Sequence, residues 1–338
     1  MIKIALDCYG GDNSPGVNVE GAFAALKNLP ELELILAGDE AEIKKLTDKY
    51  AEEYGAEIAE RITVIHAPDI IGCDEKPTDA IRQKPESSMM KCINLLRTDP
   101  DVAGMVSIGS TGALIAAATL RLGRLEGVMR PTFCPILPTM DGGLVGICDS
   151  GANVDCDAYR LHQFAVMGSV YMKNAFGIEN PRVALLNVGV EAEKGDMMRK
   201  EAYPLIEGNK NINFVGNMES RDLLSGKYDL VVCDGFSGNV LVKSVEGTAV
   251  SLLKKLKSGI MSKLRYKIGG LFMKGLFTDM KEMLDYQKYG GSVLLGCRKV
   301  VVKGHGSSSP VAVAKCIEQA YTAQMNNMNE QIEKLLSE

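Results

Sequence analysis

The sequence has few of the residues and motifs that define several common classes of site. It contains three histidines and nine cysteines, and no two cysteines form a C-x-x-C pair. A zinc site is therefore not expected, and the scattered cysteines indicate free thiols, several of them in buried strands. We expect neither a metal nor a cofactor.

Long apolar runs and an excess of positive charge are also absent. No run approaches the roughly 18–20 apolar residues that span a bilayer, and no signal-peptide region precedes the first predicted strand. The formal net charge of -5 argues against general binding of nucleic acid. We therefore expect a cytoplasmic protein.

Apolar runs of strand length alternate with segments of helical periodicity along most of the chain. The runs are continuous, which is typical of strands covered on both faces, and they predict strands at Lys3–Asp7, Leu32–Ala37, Ile62–His66, Ala103–Ile108, Leu144–Cys148, Arg182–Val188, Ile212–Val215 and Leu230–Cys233. Apolar residues three and four apart predict helices at Asn18–Leu29, Glu40–Tyr54, Glu86–Leu96, Ala113–Leu122, Ala158–Phe176, Met197–Ile206 and about Pro310–Leu336. This order predicts an α/β fold with a mostly parallel sheet.

Polar loops that contain glycine follow five of the predicted strands. They are Asp7–Pro15, Ser107–Ala113, Asp149–Asp155, Asn187–Gly195 and Asp234–Asn239. One such loop is more often an ordinary turn, but the carboxyl ends of parallel strands gather at one edge of a sheet. Five loops together therefore predict a binding cleft.

Two of these loops have the composition of anion sites. Leu230–Asn239 reads as a strand, a glycine turn and the start of a helix near Val240, an arrangement that favours anions. Ser110, Thr111 and Gly112 could cradle a phosphate group at a helix start. Because the chain lacks both G-x-x-x-x-G-K-[ST] and G-x-G-x-x-G, neither a nucleoside triphosphate nor a dinucleotide is supported as the ligand.

Three polar residues each have two interpretations. Lys194 is either a solvated charge or a cation near a reacting oxygen, and Asn239 is either a helix N-cap or a donor to an oxyanion. His305 could pair with a serine nucleophile, but no G-x-S-x-G elbow accompanies it. The serines after His305 fit a helix cap and a substrate contact better.

The segment Ser251–Lys274 carries seven basic residues and no acidic one. Its apolar residues fall on one helical face, so it could pack against a partner subunit or contact an anionic membrane or an acidic protein. The predicted contact residues are Lys254, Lys257, Ile260, Lys263, Leu264, Leu271 and Phe272.

The motifs together resemble the bacterial phosphate acyltransferase family of fatty acid and phospholipid synthesis. The resemblance covers nearly the whole chain and rests on Asp7–Pro15, Lys76–Met90, Ser107–Ala113, Asp149–Cys156, Asn187–Gly195, Asn213–Gly216, Asp234–Asn239, Tyr289–Gly296 and His305–Ser308. The chain departs from the family where Cys8-Tyr9 replaces Ala-Met, Ser110 replaces Asn and Val190 replaces Glu.

The resemblance implies a three-layer α/β/α sandwich like isocitrate dehydrogenase and phosphotransacetylase. It implies one enzyme domain, residues 1–338, with two intertwined lobes and a basic helical hairpin at residues 251–281. It further implies a homodimer at the membrane surface that transfers a long-chain acyl group from acyl carrier protein to inorganic phosphate. The acyl phosphate would then feed a membrane glycerol-3-phosphate acyltransferase that makes phosphatidic acid.

Lys194 and Asn239 match the catalytic positions that the resemblance implies. The predicted phosphate and substrate contacts are Gly10, Gly11, Asp12, Ser110, Thr111, Gly112, Asn153, Asp155, Glu191, Asp234, Ser237, His305 and Ser307. We expect direct attack of phosphate on the thioester, without an acyl-enzyme. The alternatives are a phosphate acetyl- or butyryltransferase that uses acyl-coenzyme A, and a non-catalytic membrane-docking scaffold for acyl carrier protein.

Overall fold

Two sheets form the framework of the molecule. A computed structural model describes residues 1–283 and 286–337, so Leu284, Asp285 and Glu338 of the expected domain lie outside the described residues. The larger sheet contains β1 (Ile2–Asp7), β2 (Leu32–Gly38), β3 (Ile62–His66), β4 (Val102–Ser107), β5 (Thr132–Cys134), β11 (Ser292–Leu295) and β12 (Val300–Lys303). The smaller sheet contains β6 (Ile136–Pro138), β7 (Leu144–Cys148), β8 (Arg182–Asn187), β9 (Asn213–Glu219) and β10 (Leu230–Val232).

The larger sheet has the order β3-β2-β1-β4-β12-β11-β5. Its first five strands are parallel, and β11 is antiparallel to both of its neighbours. The register aligns Asp7 with Ser107 and Ser107 with Lys303. The carboxyl ends of β1, β4 and β12 therefore lie side by side.

The smaller sheet has the order β6-β7-β10-β8-β9, in which only β6 is antiparallel to its neighbour. The carboxyl ends of β7, β10 and β8 lead into the loops that begin at Asp149, Cys233 and Val188. Three of the five predicted site loops thus belong to this sheet, and the other two belong to the larger one.

Helices connect the strands and cover the sheets. They are α1 (Gly16–Asn28), α2 (Glu40–Tyr54), α3 (Ala56–Ala59), α4 (Pro77–Gln83), α5 (Ser88–Thr98), α6 (Thr111–Ala117), α7 (Ala158–Phe176), α8 (Met197–Glu207), α9 (Gly235–Met261), α10 (Leu264–Phe272), α11 (Lys274–Met283), α12 (Pro310–Met325) and α13 (Met328–Ser337). Shorter turns of π and 3₁₀ type occupy Ala118–Leu122, Ser220–Asp222 and Tyr286–Tyr289. Asp157, Asp196 and Asp234 cap helices with their carboxylates, as their positions before apolar periodic segments favour.

Helix α7 joins the two sheets into one core. Gly168 of α7 lies so close to Leu230 of β10 that a Cβ on the glycine would be 2.7 Å from the leucine side chain. Met167 of α7 approaches Gly296, directly after β11 of the larger sheet. Buried residues of both sheets belong to one continuous apolar cluster, so the sheets are held together by packing.

The predicted fold class is confirmed, because strands and helices alternate and most strand pairs are parallel. The predicted strands and internal helices agree with the structure to within about two residues at most ends. Strands β5, β6, β11 and β12 were not predicted, since runs of three or four residues carry little periodicity. The single predicted C-terminal helix is wrong: it divides into α12 and α13 at Asn327, whose φ of 49° interrupts the helix.

The last part of α9, all of α10 and most of α11 form an arm, which we define as residues 251–281. Gly270 of α10 lies against Ile260 of α9, so the chain folds back on itself there. Large apolar side chains of the arm are exposed, among them Leu264 (75%), Leu271 (72%) and Phe272 (86%). Within the described residues, no helix has the length and apolar character that crossing a membrane requires.

Candidate functional site

A cavity of about 460 Å³ opens where loops of the two sheets face each other. The larger sheet contributes residues 108–112, residues 303–306 and the Gly290–Ser292 segment, and the smaller sheet contributes Ser150 and one face of α9. Apolar side chains form part of the wall: Ile108, Phe133, Pro135, Ile136 and Val242. The cavity therefore offers both polar loop ends and an apolar surface.

Five of the predicted site residues line this cavity. They are Ser110, Thr111, Gly112, Asn239 and His305. The cavity lining does not include the other predicted substrate contacts or Lys194: Gly10, Gly11, Asp12, Asn153, Asp155, Glu191, Asp234, Ser237 and Ser307. The expected single cleft of five loops is thus divided between a cavity and the structure that supports it.

Glycines of the first loop allow it to pack against the loops that line the cavity. A Cβ on Gly10 would lie 2.2 Å from the backbone nitrogen of Gly109, and Gly11 has a φ of +93°. The backbone N–H of Asp12 donates to the carbonyl oxygen of Gly306 at 2.8 Å. Gly10, Gly11 and Asp12 therefore hold the loops after β4 and β12 in place from behind.

The carboxylate of Asp7 is buried beneath these loops. It accepts hydrogen bonds from the hydroxyl groups of Ser88 and Ser107, both at 2.6 Å. Burial raises the pKa of Asp7, while the two serine hydrogen bonds act in the opposite direction. Because its oxygens are already engaged by serine hydroxyls, Asp7 fixes the ends of β1 and β4 relative to α5.

Lys303 lines the cavity and is not among the site residues that the sequence predicts. It is the last residue of β12, and its ammonium group donates to the carbonyl oxygen of Gly304. Burial lowers the pKa of Lys303 to about 8. The sequence carries only a short signal for this residue, because just three apolar residues, Val300–Val302, precede Lys303 and a glycine loop.

The loop after β7 supports the start of α9. The buried carboxylate of Asp149 accepts hydrogen bonds from the backbone N–H groups of Phe133 (2.9 Å), Ser150 (2.7 Å) and Asn153 (2.5 Å). Burial raises the pKa of Asp149, and these hydrogen bonds oppose the rise. The carbonyl oxygen of Asn153 accepts from the N–H of Gly235 at 2.7 Å, so Asn153 has a supporting position.

Helix α9 begins earlier than the sequence predicted. It starts at Gly235, and the carboxylate of Asp234 is its N-cap, accepting from the N–H of Ser237 at 2.8 Å. The interpretation of Asn239 as the N-cap is therefore wrong, as is the helix start at Val240. The glycine turn is itself the first turn of the helix.

Arg199 engages two of the predicted site residues. Its guanidinium donates to Asp234 at 2.7 Å and to the hydroxyl of Ser237 at 3.3 Å, and it also donates to the carbonyl oxygen of Leu186 at 2.8 Å. Burial opposes ionisation of Asp234, but the bonds from Ser237 and Arg199 outweigh it and lower its pKa. Asp234 and Ser237 thus connect α9 to α8 and β8.

One face of α9 forms a wall of the cavity. Asn239, Val242, Lys243 and Glu246 follow the three- and four-residue spacing of a single helical face, and all four line the cavity. Lys243 forms an ion pair with Glu246 at 2.7 Å. Asn239 therefore lies on the face of α9 that lines the cavity.

Lys194 lies on the loop of residues 188–196, and its side chain is exposed. This loop is tied to the smaller sheet: Asn187 donates to the carbonyl oxygen of Lys194 at 3.0 Å, and Asn217 donates to that of Glu191 at 2.7 Å. The loop neighbours the start of α9 through Arg199, and the catalytic role of Lys194 stays a prediction.

His305 contacts Ser307, with 2.8 Å between Nδ1 and the hydroxyl oxygen. Burial lowers the pKa of His305, and the charge of Lys243 adds to this effect.

Ser309 caps α12 by accepting from the N–H of Ala312, as the serine cluster predicted. Asp155 is exposed, and its carbonyl oxygen accepts from Arg160 at 3.2 Å.

In residues 1–283 and 286–337, no three His, Cys, Asp or Glu side chains are grouped as a metal site requires.

The sequence is similar to known proteins over nearly its whole length. A family model described as "Fatty acid synthesis protein" matches residues 2–331. The phosphate acyltransferase of Shouchella clausii is 44% identical over 320 residues, which is 94% of each chain. The phosphate acyltransferase of Streptococcus uberis is 42% identical over 338 residues, which is 100% of this chain and 98% of that protein.

Solved structures give similarity of fold. A phosphotransacetylase from Streptococcus pyogenes matches with a TM-score of 0.64 and 19% identity, over 96% of this chain and 94% of that chain. A branched-chain phosphotransacylase from Enterococcus faecalis V583 matches with a TM-score of 0.56 and 14% identity, over 96% of this chain and 100% of that chain. At these identities the likeness concerns the fold alone.

Proposed function

The chain belongs to the phosphate acyltransferase family, and from this premise we propose that it transfers a long-chain fatty acyl group from acyl carrier protein to inorganic phosphate. The family predicted from the motifs is confirmed by the extended similarity, and so is the prediction of an enzyme. The acyl donor, the chain length and the pathway are part of the proposal.

The two-sided lining of the cavity is the observation that carries this proposal. Hydroxyl, amide and ammonium groups of Ser110, Thr111, Asn239 and Lys303 suit an oxyanion such as phosphate. The apolar wall that includes Phe133 suits part of an acyl chain. Both substrates of phosphate acyl transfer thus find matching surfaces in one place.

The reaction needs no acyl-enzyme. An oxygen of hydrogen phosphate attacks the thioester carbonyl carbon, and a tetrahedral oxyanion forms. The carbon–sulfur bond then breaks, and the leaving thiolate takes the proton that the phosphate carried. The products are acyl phosphate and a free thiol. Since two negative centres meet, donors and positive charge matter more than a general base.

We assign the oxyanion contact to the side-chain amide of Asn239, because it faces the cavity from α9. Lys194 is proposed as a cation that reduces repulsion between phosphate and the oxyanion. The Lys194 side chain is exposed and does not line the cavity, so this role requires its loop to approach the cavity. Near-wild-type turnover in a folded Lys194→Ala variant would remove Lys194 from the mechanism.

We further propose that the arm serves the partners of the reaction. Acyl carrier protein is acidic as a class, and Lys254, Lys257 and Lys263 are exposed. The exposed Leu271 and Phe272 suit a peripheral membrane contact or the second subunit of a homodimer. Membrane contact would deliver acyl phosphate to a membrane glycerol-3-phosphate acyltransferase.

The direct test is incubation of the protein with acyl-acyl carrier protein and inorganic phosphate, with acyl phosphate measured as the product. Phosphate-dependent formation of acyl phosphate is the expected result. Absence of any phosphate-dependent loss of thioester would contradict the proposal and favour a non-catalytic docking scaffold.

A second candidate is transfer from acyl-coenzyme A to phosphate. It is favoured by the fold shared with a phosphotransacetylase. The same assay with acyl-coenzyme A in place of acyl carrier protein separates the two donors. A higher kcat/KM with the coenzyme A thioester would select the second candidate.

A further inference from the structure

Lys303 has a place in the cavity that the assigned roles of Lys194 and Asn239 leave unexplained. It ends β12 in register with Ser107, and the N–H of Gly304 donates to the carbonyl oxygen of Ser107 at 2.9 Å. The strand end of Lys303 is thus fixed beside the loop of residues 108–112. Its position is set by the sheet rather than by a mobile loop.

Within residues 1–283 and 286–337, the Lys303 ammonium forms no ion pair with a carboxylate. Asp7 accepts hydrogen bonds from Ser88 and Ser107, and Lys243 is paired with Glu246. Among the described residues, no carboxylate oxygen lies within 4.0 Å of the Lys303 ammonium nitrogen. Within the described residues, the only hydrogen bond of the Lys303 ammonium goes to the carbonyl oxygen of Gly304.

We infer that the ammonium group of Lys303 binds the inorganic phosphate in this cavity. The inference rests on the proposed function, and it names the residue that holds the nucleophile. Phosphate would occupy the side of the cavity at the carboxyl ends of β4 and β12, where the hydroxyl groups of Ser110 and Thr111 also lie. The acyl group would then lie against the apolar wall.

Burial of an unpaired ammonium group is unfavourable unless an anion accompanies it. Burial lowers the pKa of Lys303 to about 8, so its ammonium form still predominates at neutral pH. A phosphate dianion would supply the missing negative charge and would stabilise the charged form.

The same environment gives a pH signature. The charged or titratable groups around Lys303 are Asp7 on β1, Lys243 and Glu246 on α9, Cys316 on α12, and Cys73 and His305 in loops. Above about pH 8 the lysine loses its proton, whereas inorganic phosphate stays a dianion. Phosphate affinity should therefore fall as the pH rises from about 8 to about 9.5. Arginine keeps its charge in this range, so Lys303→Arg should weaken that fall.

The experiment compares wild type, Lys303→Gln, Lys303→Arg and a control, Lys173→Gln. Lys173 is an exposed lysine on α7 that pairs with Glu179 outside the cavity lining. For Lys303→Gln we expect a rise of about 10- to 100-fold in KM for phosphate at pH 7, as for a lost charged hydrogen bond. The KM for the acyl donor should stay within about threefold, and Lys173→Gln should resemble wild type.

A KM for phosphate within about threefold of wild type in folded Lys303→Gln would overturn the inference. If wild type forms no acyl phosphate from either donor, the proposed function fails. In that case, calorimetric titration of wild type and Lys303→Gln with inorganic phosphate tests phosphate binding by Lys303 independently of acyl transfer. If Lys303→Gln does not fold, phosphate binding to Lys303→Arg is titrated instead, at about pH 7 and about pH 9.5. The inference would be overturned if Lys303→Arg lost as much phosphate affinity between these pH values as wild type does.

Discussion

Asp234 and Asn239 lie five positions apart in one polar segment, yet their surroundings differ completely. The carboxylate of Asp234 is engaged by Arg199 and Ser237 and caps α9, whereas Asn239 faces the cavity one turn later. The sequence indicated that both were site residues. It could not show that Asp234 has a supporting position, because the deciding partner of Asp234 is an arginine 35 positions away.

The amide of Asn239 gives a direct prediction at the scale of one residue. In Asn239→Ala we expect kcat to fall by about 100- to 1,000-fold, because one donor to the developing oxyanion is lost. The initial rate of acyl phosphate formation at saturating substrate concentrations measures the change. The control is Asn213→Ala, whose amide donates to the carbonyl oxygen of Asn180 outside the cavity lining. A kcat within about threefold of wild type would exclude Asn239 as the donor.

The ion pair of Arg199 and Asp234 gives a prediction for stability. Its side chains are only 12% and 10% exposed. Arg199→Ala should lower the free energy of unfolding by about 2–4 kcal/mol, since it leaves a buried carboxylate without its partner. Arg221→Ala is the control, because its pair with Glu219 is exposed and should contribute less than about 1 kcal/mol. Urea denaturation measures both variants.

The pH dependence of unfolding tests the same pair independently. The pKa of Asp234 is lowered from 3.8 in the folded protein, so its contribution to stability is present above that value. This contribution is lost as the pH falls through the lower, folded-state pKa. The stability difference between wild type and Arg199→Ala should therefore narrow in acid. A difference that stays constant from neutral pH to about pH 2.5 would contradict the assignment.

At the scale of elements, the early start of α9 depends on two glycines. Gly235 and Gly238 lie against the loop after β7, and a Cβ on Gly238 would be 1.9 Å from the carbonyl oxygen of Asp149. In the sequence, two glycines near Asp and Ser are typical of a turn. Here the glycines lie inside a helix, because the backbone of another strand end approaches it closely. That reason depends on tertiary contact and is invisible in a local pattern.

Two substitutions on α9 test this packing. Gly238→Ala should destabilise the protein by about 3 kcal/mol, because a backbone atom has to move to admit the methyl group. Gly247→Ala on the same helix meets no atom within 4 Å, and it should stabilise the protein by about 0.5–1 kcal/mol. Urea denaturation of the two variants gives the comparison. Similar stability of both variants would show that Gly238 is not closely packed.

At the scale of the whole molecule, the strand order of each sheet could not be predicted from the sequence. Parallel strands in two sheets have the same buried, continuous pattern as parallel strands in one sheet. The chain passes from the larger sheet to the smaller one through β5 and β6, strands of three residues each that flank Pro135. From the sequence, all five loops are therefore expected in one cleft. The structure divides them, and it adds Lys303 from a strand too short to be recognised.

Substitutions in the arm can distinguish between its possible partners: an anionic membrane, acyl carrier protein and a second subunit. Charge reversal at Lys254, Lys257 and Lys263 should weaken binding to anionic vesicles, and it should raise KM for acyl carrier protein if the same lysines dock that protein. Vesicle flotation and assays with soluble acyl donor measure the two effects separately. The control reverses three exposed lysines outside the arm: Lys27, Lys45 and Lys210.

Replacing Leu271 and Phe272 with serine should reduce flotation and leave the KM for acyl carrier protein unchanged, because these exposed side chains carry no charge. If flotation survives both sets of substitutions while the protein becomes monomeric, the arm is a subunit contact rather than a membrane contact.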